Sequence, residues 1–335
     1  MPVLSIRVAF LASLLLAAAP ASAFDLQGHR GARGLAPENT LPAFARALSI
    51  GVTTLELDTG VTRDGVVVVA HDPALNPELT RDAGGHWLEA RGPAIHALTY
   101  AELSRYDVGR AKPGSRTAQR YPQQQPADGA RIPRLAEVFA LAARAGNPAV
   151  RFNIETKLHP DHKSETLPPE PFARAVIAEI RRAGVASRTT LQSFDWRTLQ
   201  VAQREAPEIA TVYLSARQSW LDNIGAESTL GSPWTAGISF AQYKSVPRMV
   251  HAAGGRIWSP YHGDLDAAQL EEARALGLKV IVWTVNDAGR IAAMLDLGVD
   301  GIISDYPDRA RAEMQRRGMV LPAATPVEPA AASSR

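Results

Sequence analysis

Short apolar runs alternate with amphipathic stretches along almost the whole chain. The runs have the length of strands, whereas several of the stretches between them repeat apolar residues with the period of a helix. Strands are predicted at residues 25–29, 53–58, 150–156, 189–193, 210–214, 237–240, 256–259, 279–284 and 300–304. Strands that alternate with helices in this way are typical of βα units around a parallel sheet.

The number of predicted strands favours a closed barrel. Helices are clearest over residues 41–48 after Asn39-Thr40, over 133–145 before Gly146, and over 264–276 before Gly277. Nine strand candidates for eight barrel positions leave one too many, and periodicity does not choose between 237–240 and 256–259. We therefore predict an α/β fold, a (β/α)8 TIM barrel over residues 24–318.

One long segment interrupts this alternation. Between a predicted hairpin that ends at His71 and the helix that starts near Pro133, residues 74–132 are rich in Pro, Gly, Arg and Gln. Stretches of this length without clear strands are uncommon inside a compact domain and are usually functional insertions or lids. We therefore predict an insertion after the second-strand hairpin.

Both ends of the chain differ from the rest. Arg7, an apolar run over residues 8–19 and Ala21-Ser22-Ala23 form the pattern of a signal peptide that is cleaved before Phe24. The alternative is a membrane anchor, but the run is shorter than the roughly 20 residues that a spanning helix needs. We expect an exported protein, periplasmic or secreted, with no stable membrane anchor after cleavage. Residues 319–335 are rich in Ala, Pro and Ser and are predicted to be a disordered tail.

Composition removes several classes of function. Hydrophobic residues make up 46% of the chain and charged residues 21%, as in a soluble globular protein. The net charge is only +2 and the basic residues are scattered, so we expect no nucleic-acid partner. The absence of cysteine excludes disulfides, thiolate metal sites and a cysteine nucleophile. Any metal must bind to oxygen or imidazole, and the oligomeric state is left open.

Acidic residues recur with a period of two in two of the predicted strands. Glu56 and Asp58 share one face of the second strand, and Asn153 and Glu155 repeat the pattern in the next. Carboxylates that point into a barrel are costly unless a cation joins them, and such a set of oxygens suits Ca²⁺ or Mg²⁺. The alternative is an internal salt-bridge network with Lys157 or an arginine.

Two histidines are candidates for proton transfer. If Asp64-Gly65 forms a two-residue turn, counting along the hairpin puts His71 directly opposite Asp58. His29 ends the first strand at the rim where barrel enzymes carry their sites. The two positions predict a general acid and base pair, whereas Ser193 lacks the turn motif of a serine hydrolase.

These motifs together resemble the glycerophosphodiester phosphodiesterase family. The matching segments are His29-Arg30-Gly31, Pro37-Glu38-Asn39-Thr40, Glu56-Leu57-Asp58, Arg63-Asp64-Gly65, His71-Asp72, Asn153-Ile154-Glu155-Thr156-Lys157, Gln192-Ser193-Phe194, Trp283-Thr284-Val285-Asn286 and residues 298–305. They follow the family's order over the whole predicted mature chain. Residues 225–262 depart from the compact members of the family.

The resemblance implies metal-dependent hydrolysis of a glycerophosphodiester to sn-glycerol 3-phosphate and an alcohol. One divalent cation, Ca²⁺ or Mg²⁺, would be held by Glu56, Asp58 and Glu155, and His29 and His71 would be the catalytic pair. Substrate would be bound by Arg30, Lys157, Gln192, Phe194 and Trp283, with Glu38 in support. Two other interpretations stay open: a related barrel that acts on intact phospholipids as phospholipase C or D enzymes do, and an exported protein that binds glycerophosphodiesters without cutting them.

Overall fold

Eight parallel strands close into a barrel in the computed structural model, which describes residues 24–161, 164–228 and 230–329. The strands of the described residues are β1 (Asp25–Gly28), β2 (Thr54–Val61), β3 (Val67–Val69), β4 (Arg151–Thr156), β5 (Thr189–Ser193), β6 (Ala210–Ser215), β7 (Arg217–Gln218), β8 (Leu221–Asp222), β9 (Ile257–Pro260), β10 (Lys279–Val282) and β11 (Gly301–Ser304), of which β3, β7 and β8 lie outside the barrel. The barrel order is β1-β11-β10-β9-β6-β5-β4-β2, and β1 pairs with β2 to close it. The predicted (β/α)8 TIM barrel is confirmed.

Helices surround the barrel and cover its outer face. They are α1 (Leu41–Ile50), α2 (Tyr100–Leu103), α3 (Arg116–Arg120), α4 (Leu135–Arg144), α5 (Pro169–Arg182), α6 (Trp196–Glu205), α7 (Phe240–Tyr243), α8 (Val246–Ala252), α9 (Ala267–Ala275), α10 (Ala288–Leu297) and α11 (Pro307–Arg316). The cap predicted at the start of α1 forms: the Thr40 side chain accepts a hydrogen bond from the Ala43 amide, which satisfies a free donor at that helix end.

The strands place apolar and polar residues on opposite faces. Leu55, Leu57, Phe152 and Ile154 are fully buried in the main hydrophobic core between the barrel and the helices. Phe152 packs edge to face on Phe139 of α4, with ring centroids 4.8 Å apart. Because side chains alternate along a strand, the residues between these apolar ones point into the barrel.

One of the two competing segments is a barrel strand and the other is not. Residues 256–259 correspond to β9, whereas 237–240 do not form a strand. Gly237 has a left-handed φ of 88°, and Ser239 caps α7 by accepting a hydrogen bond from the Gln242 amide. A left-handed residue followed by a helix cap cannot continue an extended strand.

The hairpin register differs by one residue from the prediction. The Thr62 amide donates to the Val66 carbonyl, so the loop holds three residues, 63–65, and Gly65 takes a left-handed φ of 80°. The Ala70 amide therefore donates to the Asp58 carbonyl, and Ala70, not His71, lies opposite Asp58. The predicted two-residue turn is wrong because the glycine supports a longer loop.

Residues 74–132 form a compact layer against one side of the barrel mouth. They contribute to a second hydrophobic cluster of Val68, Leu75, Ile95, Leu103 and Ile132. Toward the barrel, the Gln123 side chain accepts a hydrogen bond from Arg309. Among the described residues, no helix has the length and apolar character that crossing a membrane would require.

The described part of the carboxyl-terminal segment packs on the rest of the domain. Residues 319–329 have no helix or strand, yet Leu321 and Val327 pack against the main core and the Thr325 amide donates to the Leu48 carbonyl. Met319 also packs on this core, and Arg311 donates to the Pro322 carbonyl at 2.6 Å, so several contacts hold this part of the predicted disordered tail. The predicted signal peptide, residues 1–23, and residues 330–335 lie outside the described residues.

Candidate active site

Three carboxylates converge at the carboxyl-terminal end of the barrel. In the parallel pairing of β2 with β4, Glu56 lies beside Asn153 and Asp58 beside Glu155. Glu56, Asp58 and Glu155 are buried, and each offers an oxygen atom within 4.8 Å of the others. The structure thus brings together the three residues that the sequence predicts as metal ligands.

The pKa values of the three carboxyl groups are shifted by burial and by neighbouring charges. Burial raises the pKa of Glu155 to about 7, and burial together with the neighbouring Asp58 raises the pKa of Glu56 well above its usual range. Burial works in the same direction on Asp58, but Arg30 and the other nearby positive groups hold its pKa well below the usual range. Carboxylates packed so closely repel one another when all are ionised.

Part of this charge is balanced by protein cations. Lys157 Nζ lies 2.9 Å from Glu155 Oε1 and 3.8 Å from Asp58 Oδ1, and Arg30 Nε lies 3.1 Å from Asp58 Oδ2. The predicted alternative of an ion-pair network is therefore present in part. Glu56, however, accepts hydrogen bonds from two neutral donors, the Arg30 backbone amide and the Gln192 side chain.

The cluster has the chemistry of a site for a hard divalent cation. Its donor atoms are all carboxylate oxygens, which Ca²⁺ and Mg²⁺ prefer. Buried Asp58 Oδ1 lacks a hydrogen-bond partner among the described residues, and such an atom is normally paired. A divalent cation would satisfy this oxygen and relieve the repulsion, so the residues present fit the predicted metal.

His29 follows the end of β1, and the buried carboxylate of Asp305 orients its ring. Its Nδ1 lies 2.5 Å from Asp305 Oδ1, and its Nε2 lies 3.9 Å from Glu56 Oε2. Asp305 is fixed in turn by the Asn286 side chain at 2.7 Å and the Tyr121 hydroxyl at 3.2 Å. Burial lowers the pKa of His29, although Asp305 opposes this effect. The ring is thus oriented with Nε2 toward the carboxylate cluster.

His71 is likewise oriented by a carboxylate, that of its sequence neighbour Asp72. Its Nδ1 lies 2.8 Å from Asp72 Oδ1, and Asn76 donates to the other oxygen of Asp72 at 2.7 Å. Burial, reinforced by the positive charges of Arg30 and Lys157, lowers the pKa of His71 to about 4. The predicted hairpin register was wrong by one residue, but His71 follows the end of β3 and therefore still interacts electrostatically with Asp58.

Arg30 and Glu38 form a buried pair beside Asp58. The Arg30 guanidinium donates to Glu38 Oε1 at 2.8 Å, and Arg33 Nε lies 2.5 Å from Glu38 Oε2. Burial would raise the pKa of Glu38, but Arg33 and Arg30 outweigh it and lower the value. Arg30 also takes a left-handed φ of 50°, a backbone conformation that is concentrated at functional sites in non-glycine residues. Glu38 thus pairs with both Arg30 and Arg33 beside Asp58.

Of the other predicted substrate-binding residues, Gln192 contacts the carboxylate cluster, whereas Phe194 and Trp283 form an aromatic pair. Gln192 lies inside the cluster, where it donates to Glu56 Oε1 at 2.6 Å and accepts from Asn153 at 2.8 Å. Phe194 and Trp283 pack on each other beside it, with ring centroids 5.2 Å apart. Lys157 contacts both the carboxylates and the aromatic pair, because its Nζ lies near Glu155 and 5.4 Å from the Phe194 ring centroid.

Sequence reasoning missed the partners that orient the site. Asp305 and Asp72 hold the two histidines, and Asn39 donates to Asp58 Oδ2 at 2.9 Å. Asp72 follows His71 directly, and Asp305 follows the last predicted strand, so both positions carried a signal. Tyr121 carried none, because its contact with Asp305 depends on how residues 74–132 fold over the barrel.

Comparison with known proteins agrees with this geometry. The model of the glycerophosphoryl diester phosphodiesterase family matches residues 29–309. A crystal structure of a putative glycerophosphoryl diester phosphodiesterase from Silicibacter pomeroyi is 37% identical, covers 89% of this chain and 95% of its own, and has a TM-score of 0.77. An Oleispira antarctica phosphodiesterase in complex with the product sn-glycerol-3-phosphate is 23% identical, with 87% and 96% covered and a TM-score of 0.61.

A curated relative extends the comparison. The glycerophosphodiester phosphodiesterase of Caldanaerobacter subterraneus subsp. tengcongensis is 27% identical over 284 residues, which cover 84% of this chain and 93% of that protein. The family match covers most of the chain, including every predicted metal, histidine and pocket residue. The protein therefore belongs to the glycerophosphoryl diester phosphodiesterase family and is a phosphodiesterase on a (β/α)8 barrel.

Proposed function

We propose that this protein cuts glycerophosphodiesters into sn-glycerol 3-phosphate and an alcohol, with one divalent cation, Ca²⁺ or Mg²⁺, and a histidine pair. The observation that carries the proposal is the position of two carboxylate-supported histidines around three buried carboxylates. Both histidines interact electrostatically with Asp58, so a substrate phosphate placed at this cluster would lie near both rings. A related enzyme with the product sn-glycerol-3-phosphate bound supports the substrate class.

The cation would be held by Glu56, Asp58 and Glu155. When bound, it would polarise the phosphoryl oxygens and offset the negative charge that develops on them. Lys157 lies beside this cluster and would contact the phosphate or balance the carboxylates. Arg30 is held against Asp58 and Glu38, close enough to the cluster to contribute positive charge.

The two histidines would divide the proton transfers. Asp305 and Asp72 each occupy the Nδ1 side of a ring, so Nε2 is the nitrogen available for substrate in both. One Nε2 would accept a proton from the attacking oxygen, and the other would donate a proton to the leaving alkoxide. The lowered pKa of His71, about 4, keeps this ring neutral near pH 7, as a base requires, whereas the histidine that acts as the acid must already carry the proton that it donates to the leaving alkoxide.

Steady-state hydrolysis of glycerophosphocholine tests the proposal directly. With added Ca²⁺ or Mg²⁺, we expect release of sn-glycerol 3-phosphate and choline in equal amounts. Tight binding of the diester without any release would instead favour a binding protein. Hydrolysis of phosphatidylcholine in preference to glycerophosphocholine would favour the phospholipase-like interpretation.

We propose that the attacking oxygen is the glycerol hydroxyl next to the phosphate. One histidine takes its proton as the oxygen bonds to phosphorus, the alcohol leaves with a proton from the other histidine, and water then opens the cyclic phosphate. A neighbouring hydroxyl reacts with the advantage of proximity. It would also explain selectivity for glycerol diesters.

A propanediol phosphodiester that lacks this hydroxyl is expected to bind but to react about 10²-fold or more slowly, because the advantage of proximity is lost. The measurement compares kcat and KM for the two diesters, and phosphorus NMR would detect the cyclic glycerol phosphate. Comparable turnover of the two substrates would show that water attacks phosphorus directly.

We also propose that the protein is exported and that its mature form begins near Phe24. The support is the signal-peptide pattern of the first 23 residues. Amino-terminal sequencing of the protein from the producing cells would test the cleavage site. An intact Met1 on active protein would contradict it.

A further inference from the structure

A continuous aromatic wall runs from the carboxylate cluster to the protein surface. It consists of Phe194 after β5, Tyr261 after β9, Trp283 after β10 and Trp220 in the turn between β7 and β8. Trp283 lies 5.2 Å from Phe194, 5.6 Å from Tyr261 and 6.1 Å from Trp220, as measured between ring centroids. Trp220 also packs on Tyr261 at 5.3 Å. Every ring therefore contacts at least one other.

The inner end of the wall lies beside the carboxylate cluster, with Lys157 between them. Lys157 Nζ lies 5.4 Å from the Phe194 ring centroid and 2.9 Å from Glu155 Oε1. Phe194 is buried, whereas Trp220 at the outer end is 57% exposed. A group bonded to the substrate phosphate could therefore extend along the rings toward solvent.

The outer ring is held in place by polar contacts of its hairpin. Asp264 accepts hydrogen bonds from the Arg217 amide at 2.7 Å and from the Gln218 side chain at 2.5 Å. At the base of the hairpin, Asn223 accepts from the Ala216 amide at 2.9 Å. Single exposed apolar residues are common on protein surfaces. Trp220 differs because it is fixed and continues a wall that begins at the active site.

We propose that this aromatic wall is the subsite for the alcohol part of the diester and selects a quaternary ammonium group, such as that of choline, with Trp220 as its outer ring. The proposal rests on the proposed function. Faces of aromatic rings attract cations, and tryptophan does so most strongly. A quaternary ammonium has no N–H to donate, so ring faces suffice for it. A primary ammonium also needs hydrogen-bond acceptors, which ring faces do not supply.

A pair of substrates with the same shape tests the proposal. Glycerophosphocholine is compared with the 3,3-dimethylbutyl ester of glycerol phosphate, in which carbon replaces the charged nitrogen. We expect the wild-type protein to favour glycerophosphocholine in kcat/KM by about 5-fold or more, as a cation–π contact would give. A ratio near one in the wild-type protein would overturn the proposal.

Two substitutions of Trp220 test whether the substrate preference needs an aromatic ring or only an apolar side chain. Trp220→Leu is expected to remove most of this preference, and Trp220→Phe to retain much of it. Trp87→Ala is the matched control, because Trp87 packs against Arg81 in residues 74–132, and its substrate ratio should equal that of the wild type. An unchanged ratio in Trp220→Leu would exclude Trp220 from the subsite.

Binding measurements keep this inference separate from the proposed function. Quenching of tryptophan fluorescence by choline, with neutral 3,3-dimethylbutanol as the comparison, needs no turnover. Saturable quenching by choline that Trp220→Leu abolishes would support the subsite even if no diester were hydrolysed, and no quenching in the wild-type protein would overturn it. If Trp220→Leu slows hydrolysis of lysophosphatidylcholine but not of glycerophosphocholine, the wall holds an acyl chain and the choline assignment is wrong.

Discussion

Replacing His29 or His71 by alanine is expected to lower turnover by about 10²- to 10⁴-fold, the usual effect of removing a general acid or base. Each ring is oriented by its own carboxylate, Asp305 or Asp72, so neither histidine can take over the position of the other. Turnover of glycerophosphocholine as a function of pH is the measurement. The wild-type profile should be bell-shaped, and each variant should lose one of its limbs.

His251→Ala is a matched control for these two variants. His251 lies exposed on α8, and its replacement should leave both turnover and the pH profile unchanged. A His71→Ala enzyme with wild-type turnover and an unchanged profile would contradict the catalytic role of His71. The same result for His29 would assign proton transfer to other groups.

Removal of divalent cations is expected to abolish turnover, and Ca²⁺ or Mg²⁺ to restore it. Without a cation, the oxygens of Glu56, Asp58 and Glu155 lie within 4.8 Å of one another with incomplete charge balance. A ligand that binds only the folded state stabilises it, by about 2.7 kcal/mol at a concentration 100 times its Kd. Thermal unfolding should therefore shift upward by several degrees when the cation is added to chelated protein.

Glu155→Gln separates cation binding from a general loss of structure. We expect this variant to stay folded but to lose most of its activity and of the cation-dependent shift in Tm. Glu271→Gln, on the exposed surface of α9, should behave like the wild type. Full activity in excess chelator, in protein that elemental analysis finds free of metal, would exclude the metal-dependent mechanism.

The order of elements and the identity of the carboxylates could be predicted from the sequence because both depend on local periodicity. Side chains alternate along a strand whatever surrounds it, so Glu56 and Asp58 had to share a face. The same holds for Asn153 and Glu155 on β4. The (β/α)8 order followed from the alternation of strands and helices.

Features that depend on one backbone conformation could not be predicted in this way. The hairpin register shifted by one residue because Gly65 adopts a left-handed conformation in a three-residue loop. Residues 237–240 have the composition of a strand, yet Gly237 and the Ser239 cap turn the chain into α7. Composition does not distinguish these outcomes, since each is decided by a few torsion angles.

Contacts between distant segments were decided by the tertiary structure alone. His29 and Asp305 are 276 positions apart and meet because β1 pairs with β11. Tyr121 meets Asp305 where residues 74–132 pack against the barrel mouth, and Trp220 meets Trp283 on a hairpin that Asp264 holds by hydrogen bonds. The sequence by itself determined which groups could do the chemistry, because strand periodicity is a local property. Their orientation and the aromatic wall beside them arose from barrel closure and loop packing, which join segments that no local pattern connects.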